Sequence, residues 1–165
     1  MSLNQNTLKN NLLSVFTNLK DGDDSYFAKQ VSAKIAEYVK SGSIITADTG
    51  TVPTGVFTGS GTGTMDVDPS ICETIVTTAC KAMSTMSTGG DAFFAAQLAL
   101  GIDSMMVAGE VKTTVVGSVT LPTGTPAPLS GTAKGIFTGI SVTLQSGFLA
   151  AFTAMASMSE GGMNI

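Results

Sequence analysis

Two short stretches hold the residue types from which ligand sites are built. GSGTGT at 59–64 has the glycine density of a loop that cradles phosphate on its backbone amides, and DGDD at 21–24 sets carboxylates at calcium-like spacing. Each lacks what would complete it. A phosphate cradle needs a helix directly behind it and usually a Lys, whereas Met65, Asp66 and Val67 follow here. A calcium loop closes on a bidentate Glu about twelve residues after its start, and DGDD has no such Glu. The first stretch therefore reads as a turn or flexible loop, and the second as a helix–helix turn carrying a helix cap.

Absences limit the remaining chemistry. With no His, the chain lacks Ser/His/Asp and Cys/His catalytic pairs, His-containing metal sites and the usual general base near neutral pH. All 8 basic residues are Lys and 12 residues are acidic, giving a net charge of −4. There is no guanidinium fork for phosphate, carboxylate or guanine, and the acidic balance disfavours nucleic acid. The 12 acids could pair in space for glycosidic work, but no Trp and 2 Tyr make a poor sugar cleft. Cys72 and Cys80 lie eight positions apart on one expected helix, about 12 Å along its axis, beyond the roughly 7 Å Cα reach of a disulfide. They read as core thiols. Met83, Met86, Met105, Met106, Met155 and Met158 recur at helical spacing and read as core packing rather than a soft-metal surface. Gln30 and Gln97 are the best polar candidates for a pocket between helical units, and read instead as amides tied to nearby backbone. No catalytic, cofactor-binding or metal-binding residue is assigned, no cofactor is expected, and the chain is not expected to be an enzyme.

An internal repeat organises the elements that would position any site. Shifted by 67 positions, residues 16–44 align with 83–111 without a gap, so that Gly22, Asp24, Phe27, Ala28, Gln30, Ile35 and Gly42 recur as Gly89, Asp91, Phe94, Ala95, Gln97, Ile102 and Gly109. A shift of 72 lays 79–90 on 151–162. The five extra residues of the second unit belong in loops, and VFTG at 56–59 resembles IFTG at 136–139 at another offset.

Each unit reads as helix, short turn, helix and two strands. The stripe Phe27, Val31, Ile35, Tyr38 and Val39 predicts an amphipathic helix, and Phe94, Leu98, Ile102, Met105 and Met106 repeat it. Asp24 and Asp91 are placed to cap these helices, and Gly42 and Gly109 to end them in the left-handed region. The preceding helices carry Leu8, Leu12, Leu13, Phe16 and Leu19, and Ile71, Ile75, Val76, Ala79, Cys80, Met83 and Met86. The second of them starts at Asp68-Pro69, with Ser70 and Glu73 as a capping box. A third helix runs from about Ser141 to Met158 without its partner. SIITA (43–47) and EVKTTVVGSVTL (110–121) begin β-rich stretches, with further short strands near 54–58 and 132–138.

The expected architecture is thus α+β: a tandem pseudo-repeat of helix-turn-helix plus β-hairpin, with five main helices and two short β ribbons. It forms a single domain from unit 1 (about 1–67), unit 2 (about 68–138) and a truncated third unit (about 139–165). Two short ribbons cannot stand alone; they must pack on helices, join into one sheet or add to a neighbouring subunit. The N-terminus does not read as a secretory signal. The uncharged stretch 135–159 holds too many Ser, Thr and Gln for a membrane span, and reads as buried in a core or between subunits.

In texture the chain resembles small virion structural proteins of tailed bacteriophages, from the tail, neck or baseplate region. The resemblance lies in the acidic, charge-poor composition, the Thr/Gly-rich segment TGTVPTGVFTGSGTGT and the tandem FAxQ…I…G helical unit. It implies a non-enzymatic assembly subunit made in the host cytoplasm and residing in the virion, partnered by its own copies or other virion proteins, with no nucleic acid or membrane. The alternatives are a capsid decoration protein and a small-molecule carrier or enzyme with an apolar pocket between the repeats.

Overall fold

The computed structural model describes residues 5–18, 23–52, 55–137 and 141–156. The class is α+β. In chain order the elements are α1 (Gln5–Asn18), α2 (Asp24–Lys40), β1 (Ile44–Val52), β2 (Gly55–Asp66), α3 (Pro69–Met83), α4 (Gly90–Val107), β3 (Glu110–Thr120), β4 (Pro126–Gly135) and α5 (Ser141–Ala156).

The repeat is visible in the element boundaries. Shifted by 67, α2 falls within α4 and β1 falls within β3. Val52 pairs with Gly55, three positions on, whereas Val119 pairs with Ala127, eight positions on. The five extra residues of the second unit therefore lie in the β3–β4 connection. From there β2 corresponds to β4 at a shift of 72, the shift that also relates α3 to α5. VFTG at 56–59 thus corresponds to PLSG at 128–131, while Thr138 and Gly139 of IFTG lie outside the described residues.

Local capping differs from expectation at several ends. Asp23, not Asp24, caps α2, its Oδ1 accepting from the Tyr26 amide at 2.8 Å, while Asp24 is the first helical residue. The N-cap position of α4 is Gly89, whose φ of 75° no side chain with a Cβ readily adopts, and Asp91 sits in the first turn. Both acids still face the positive end of the helix dipole. Gly42 and Gly109 are not left-handed; the helices end on right-handed Ser41 and Ala108. Gly109 is needed for space, since a Cβ there would stand 2.7 Å from Val67 Cγ1 and 2.8 Å from the Asp66 carbonyl oxygen. At α3 the cap is Asp68, which accepts from the Ser70 amide at 2.9 Å with Pro69 following; Ser70 lies inside the helix rather than opening a box with Glu73. Asp68→Ala should lower the midpoint of thermal unfolding by about 2–4 °C and Asp68→Asn by less, read by circular dichroism.

The β segments are longer than two short ribbons and form one antiparallel sheet in the order β1-β2-β3-β4. GSGTGT is neither a turn nor a flexible loop but lies within β2, paired on both sides through Gly63 and with β3 at Thr64. Its glycines, Gly59, Gly61 and Gly63, alternate on one face that neighbouring strands crowd: a Cβ on Gly63 would overlap the Lys112 carbonyl of β3, and one on Gly61 would overlap the Thr46 hydroxyl of β1. The ring of Phe57 lies over Gly59 and Gly117 on the same face. The sheet is curled. Cα atoms of β1 and β3 approach within 8 Å across β2, where a flat sheet would hold them about 9.5 Å apart. Val115, Val119 and Thr113 are buried on the concave side.

Helices pack in chain order, α1 on α2, α2 on α3, α3 on α4 and α4 on α5. The α2–α3–α4 contact is built of small residues, Ala28, Ala36, Cys72, Ala79, Ala95 and Ala99 all being buried, which lets the backbones approach closely. The α3–α4 approach is close enough that a Cβ on Gly101 would stand 3.1 Å from Cys72 Sγ. On α1 the buried residue is Val15, whereas Leu13 and Phe16, expected on the apolar stripe, are 57% and 41% exposed. Leu19 lies outside the described residues. Met65, Met105 and Met106 are core residues, but Met86 is 40% exposed and does not pack as expected; Met158 lies outside the described residues.

Candidate functional site

The repeated stripes meet around an apolar cavity of about 370 Å³ between α1, α2, α4 and α5. Its walls include Leu12, Phe27, Ile35, Phe94, Leu98 and Phe148. Ring contacts run through it, from Phe16 to Phe27 at 6.0 Å, Phe27 to Phe94 at 6.2 Å and Phe94 to Phe152 at 5.5 Å between centroids. Such spacing is attractive for tilted aromatic pairs. Among the described residues Tyr38 is the sole titratable one in the lining, and Gln30 and Gln97 are not part of it. The cavity can exclude water, but it presents no acid, base or nucleophile pair with which to act on a bound molecule.

Charge is concentrated where the sheet meets the helices. Asp66 accepts from Lys112 at 2.9 Å and faces Lys40 at 3.6 Å, and Glu110 faces Lys112 at 3.5 Å and pairs with Lys134. The row crosses α2, β2, β3 and β4 on exposed positions, where such pairs contribute little to stability. Hydrogen bonding to Lys112 and its charge hold Asp66 below its ordinary value, and hydrogen bonding to Lys134 does the same for Glu110. The Ser70 amide lowers Asp68, and hydrogen bonding to Asp66 raises Lys112. The acids therefore contribute stability above the ordinary carboxylate range, lost as pH falls through their lowered values. Lys112 contributes below its ordinary range, lost as pH rises through its raised value. Neither window reaches neutral pH. The row links α2 to the sheet through exposed pairs, and none of these shifts moves a group toward neutral pH.

The cysteines are equally unsuited to chemistry. Burial pushes the Cys72 thiol up, opposed in part by the Ser32 hydroxyl, which is itself buried without a hydrogen bond of good geometry. Burial, with a smaller contribution from the Asp24 charge, pushes Cys80 up to about 11. Both are free. At pH 8 the folded protein should alkylate with iodoacetamide about 100-fold more slowly than a cysteine peptide, as followed by intact mass.

Among the described residues no three His, Cys, Asp or Glu gather to hold a metal ion, and no helix is long and apolar enough to cross a membrane. Within the stretch 135–159, α5 packs on α4, its Leu144, Phe148 and Phe152 against the core. Asp23 of DGDD serves as a cap, and residues 21 and 22 lie outside the described ones.

Strand edges in need of cover are expected from the sequence; what it does not show is which strands and residues form them. β1 and β4 pair on one side only. Ile45 on β1 is 74% exposed and Ile136, just past β4, is 85% exposed, the highest values for large apolar side chains among the described residues. Both sit in segments read as β-rich, but only the strand order makes them edge residues. Compared with known proteins, the chain matches no family model, no curated protein and no solved structure.

Proposed function

We propose that this chain is a non-enzymatic structural subunit that assembles into a bacteriophage particle, in its tail, neck or baseplate region. The observation that carries the assembly reading is that β1 and β4 each pair on one side only, with exposed isoleucines at Ile45 on β1 and at Ile136 just past the end of β4. Open backbone donors and acceptors recruit other strands; Pro126 and Pro128 blunt the first part of β4, and the strand stays open from Ser130 onward. The particle assignment rests on the texture of the sequence, including its Thr/Gly-rich strands and tandem helical units. The test is quantitative mass spectrometry of gradient-purified particles of the phage that encodes the chain. A fixed stoichiometric copy number is expected, and absence from the particle would contradict the assignment.

A second reading, an apolar-ligand carrier, has the cavity in its favour. It lacks the few polar groups by which such pockets orient a ligand. Saturating dodecanoate should therefore leave the unfolding midpoint unchanged; a rise of several degrees would favour the carrier instead.

A further inference from the structure

Inside the chain the two repeat units meet at the β2–β3 pairing, with Thr64 opposite Lys112 and Met65 opposite Val111. β4 stands in unit 2 where β2 stands in unit 1, and β1 stands where β3 does. Transferred by the shifts of 72 and 67 and continued two residues past the end of β4, the same strand pairing would set Ile136 opposite Ile45 and Phe137 opposite Ile44. The two most exposed large apolar side chains thus become direct cross-strand neighbours. Phe137 and Ile44, both partly buried against the core, take the places of Met65, which is 1% exposed, and Val111.

We propose that copies of this chain join edge to edge in that register, β4 of one against β1 of the next, and that the sheets close into a ring. The proposal rests on the assembly reading above and names the partner as a second copy. Pro126 and Pro128 remove two amide hydrogens from β4, so the joint runs from Ser130 onward, opposite Thr51. Across it Asp48 falls opposite Ala133 and Lys134 opposite Ala47, so no like charges meet. Pairing β1 with another β1 would leave every β4 uncovered, and the reverse would leave every β1. The β4-to-β1 contact, repeated round a ring, covers both edges of every copy with a single kind of joint. The curl of the sheet favours closure: a curled sheet extended by further strands returns on itself as a barrel, which abolishes edges.

Single-cysteine variants of the full chain, Ile45→Cys and Ile136→Cys, test the joint, both sites being exposed enough to leave folding intact. After mild oxidation an equimolar mixture should give a disulfide-linked dimer, each variant alone should not, and the double variant should give a ladder of covalent oligomers. Wild-type protein treated alike corrects for Cys72 and Cys80. A dimer from either variant alone would overturn the register, as would a double variant whose disulfide closes within one chain. No cross-link in a mixture that light scattering shows to be assembled would also overturn this joint while leaving the assembly reading standing. A single-chain mass at every concentration would remove both.

Discussion

Phe94→Ala is expected to lower the stability of the folded chain by about 3–5 kcal/mol, measured by urea unfolding of the full-length protein. Phe94 is 6% exposed and touches both Phe27 and Phe152, so its ring joins the second helices of the two units to α5. Truncation removes those contacts and enlarges a cavity that is already about 370 Å³. Phe16, at the other end of the same aromatic row but 41% exposed, should cost less than half as much when cut to Ala. Equal losses at the two sites would mean that the rings do not divide into core and rim as described.

Gly63→Val should be more severe, beyond about 4 kcal/mol, and should appear as loss of soluble protein or of a cooperative unfolding transition. A Cβ at Gly63 overlaps the Lys112 carbonyl, and the β3 backbone has no room to retreat because β4 pairs on its far side. Gly135 holds the same place in the second unit, and its added Cβ would meet Val111 only at 3.6 Å. Gly135→Val should therefore fold. With the same joint repeated between copies, it should impair assembly while sparing the fold, and an assembled Gly135→Val protein would argue against a shared geometry.

These two sites also mark where the sequence was and was not legible. The helices announced themselves through period: Phe27, Val31 and Ile35 repeat as Phe94, Leu98 and Ile102, and all six line the cavity. The α3 start was readable because Asp68-Pro69 satisfies its end by local chemistry alone. The glycine run of β2 was misread for a physical reason. Gly59, Gly61 and Gly63 remove the apolar side chains that mark a strand, and what makes the segment a strand is pairing to β1 and β3, the latter fifty or more residues away. Gly109 misled in the same way, since its small size answers to Val67 and Asp66 rather than to a left-handed turn. The apolar cavity was legible as an alternative, but Gln30 and Gln97 recur without lining it. The exposed edges depend on strand order, which no local pattern encodes.

Size-exclusion chromatography with light scattering, on the full chain over a wide concentration range, tests the assembly claim most directly. The account predicts a fixed integer multiple of 16.7 kDa, and a return to 16.7 kDa when Ile136→Lys places a second charge beside Lys134 at the β4 edge. A wild-type mass of 16.7 kDa at every concentration would contradict it.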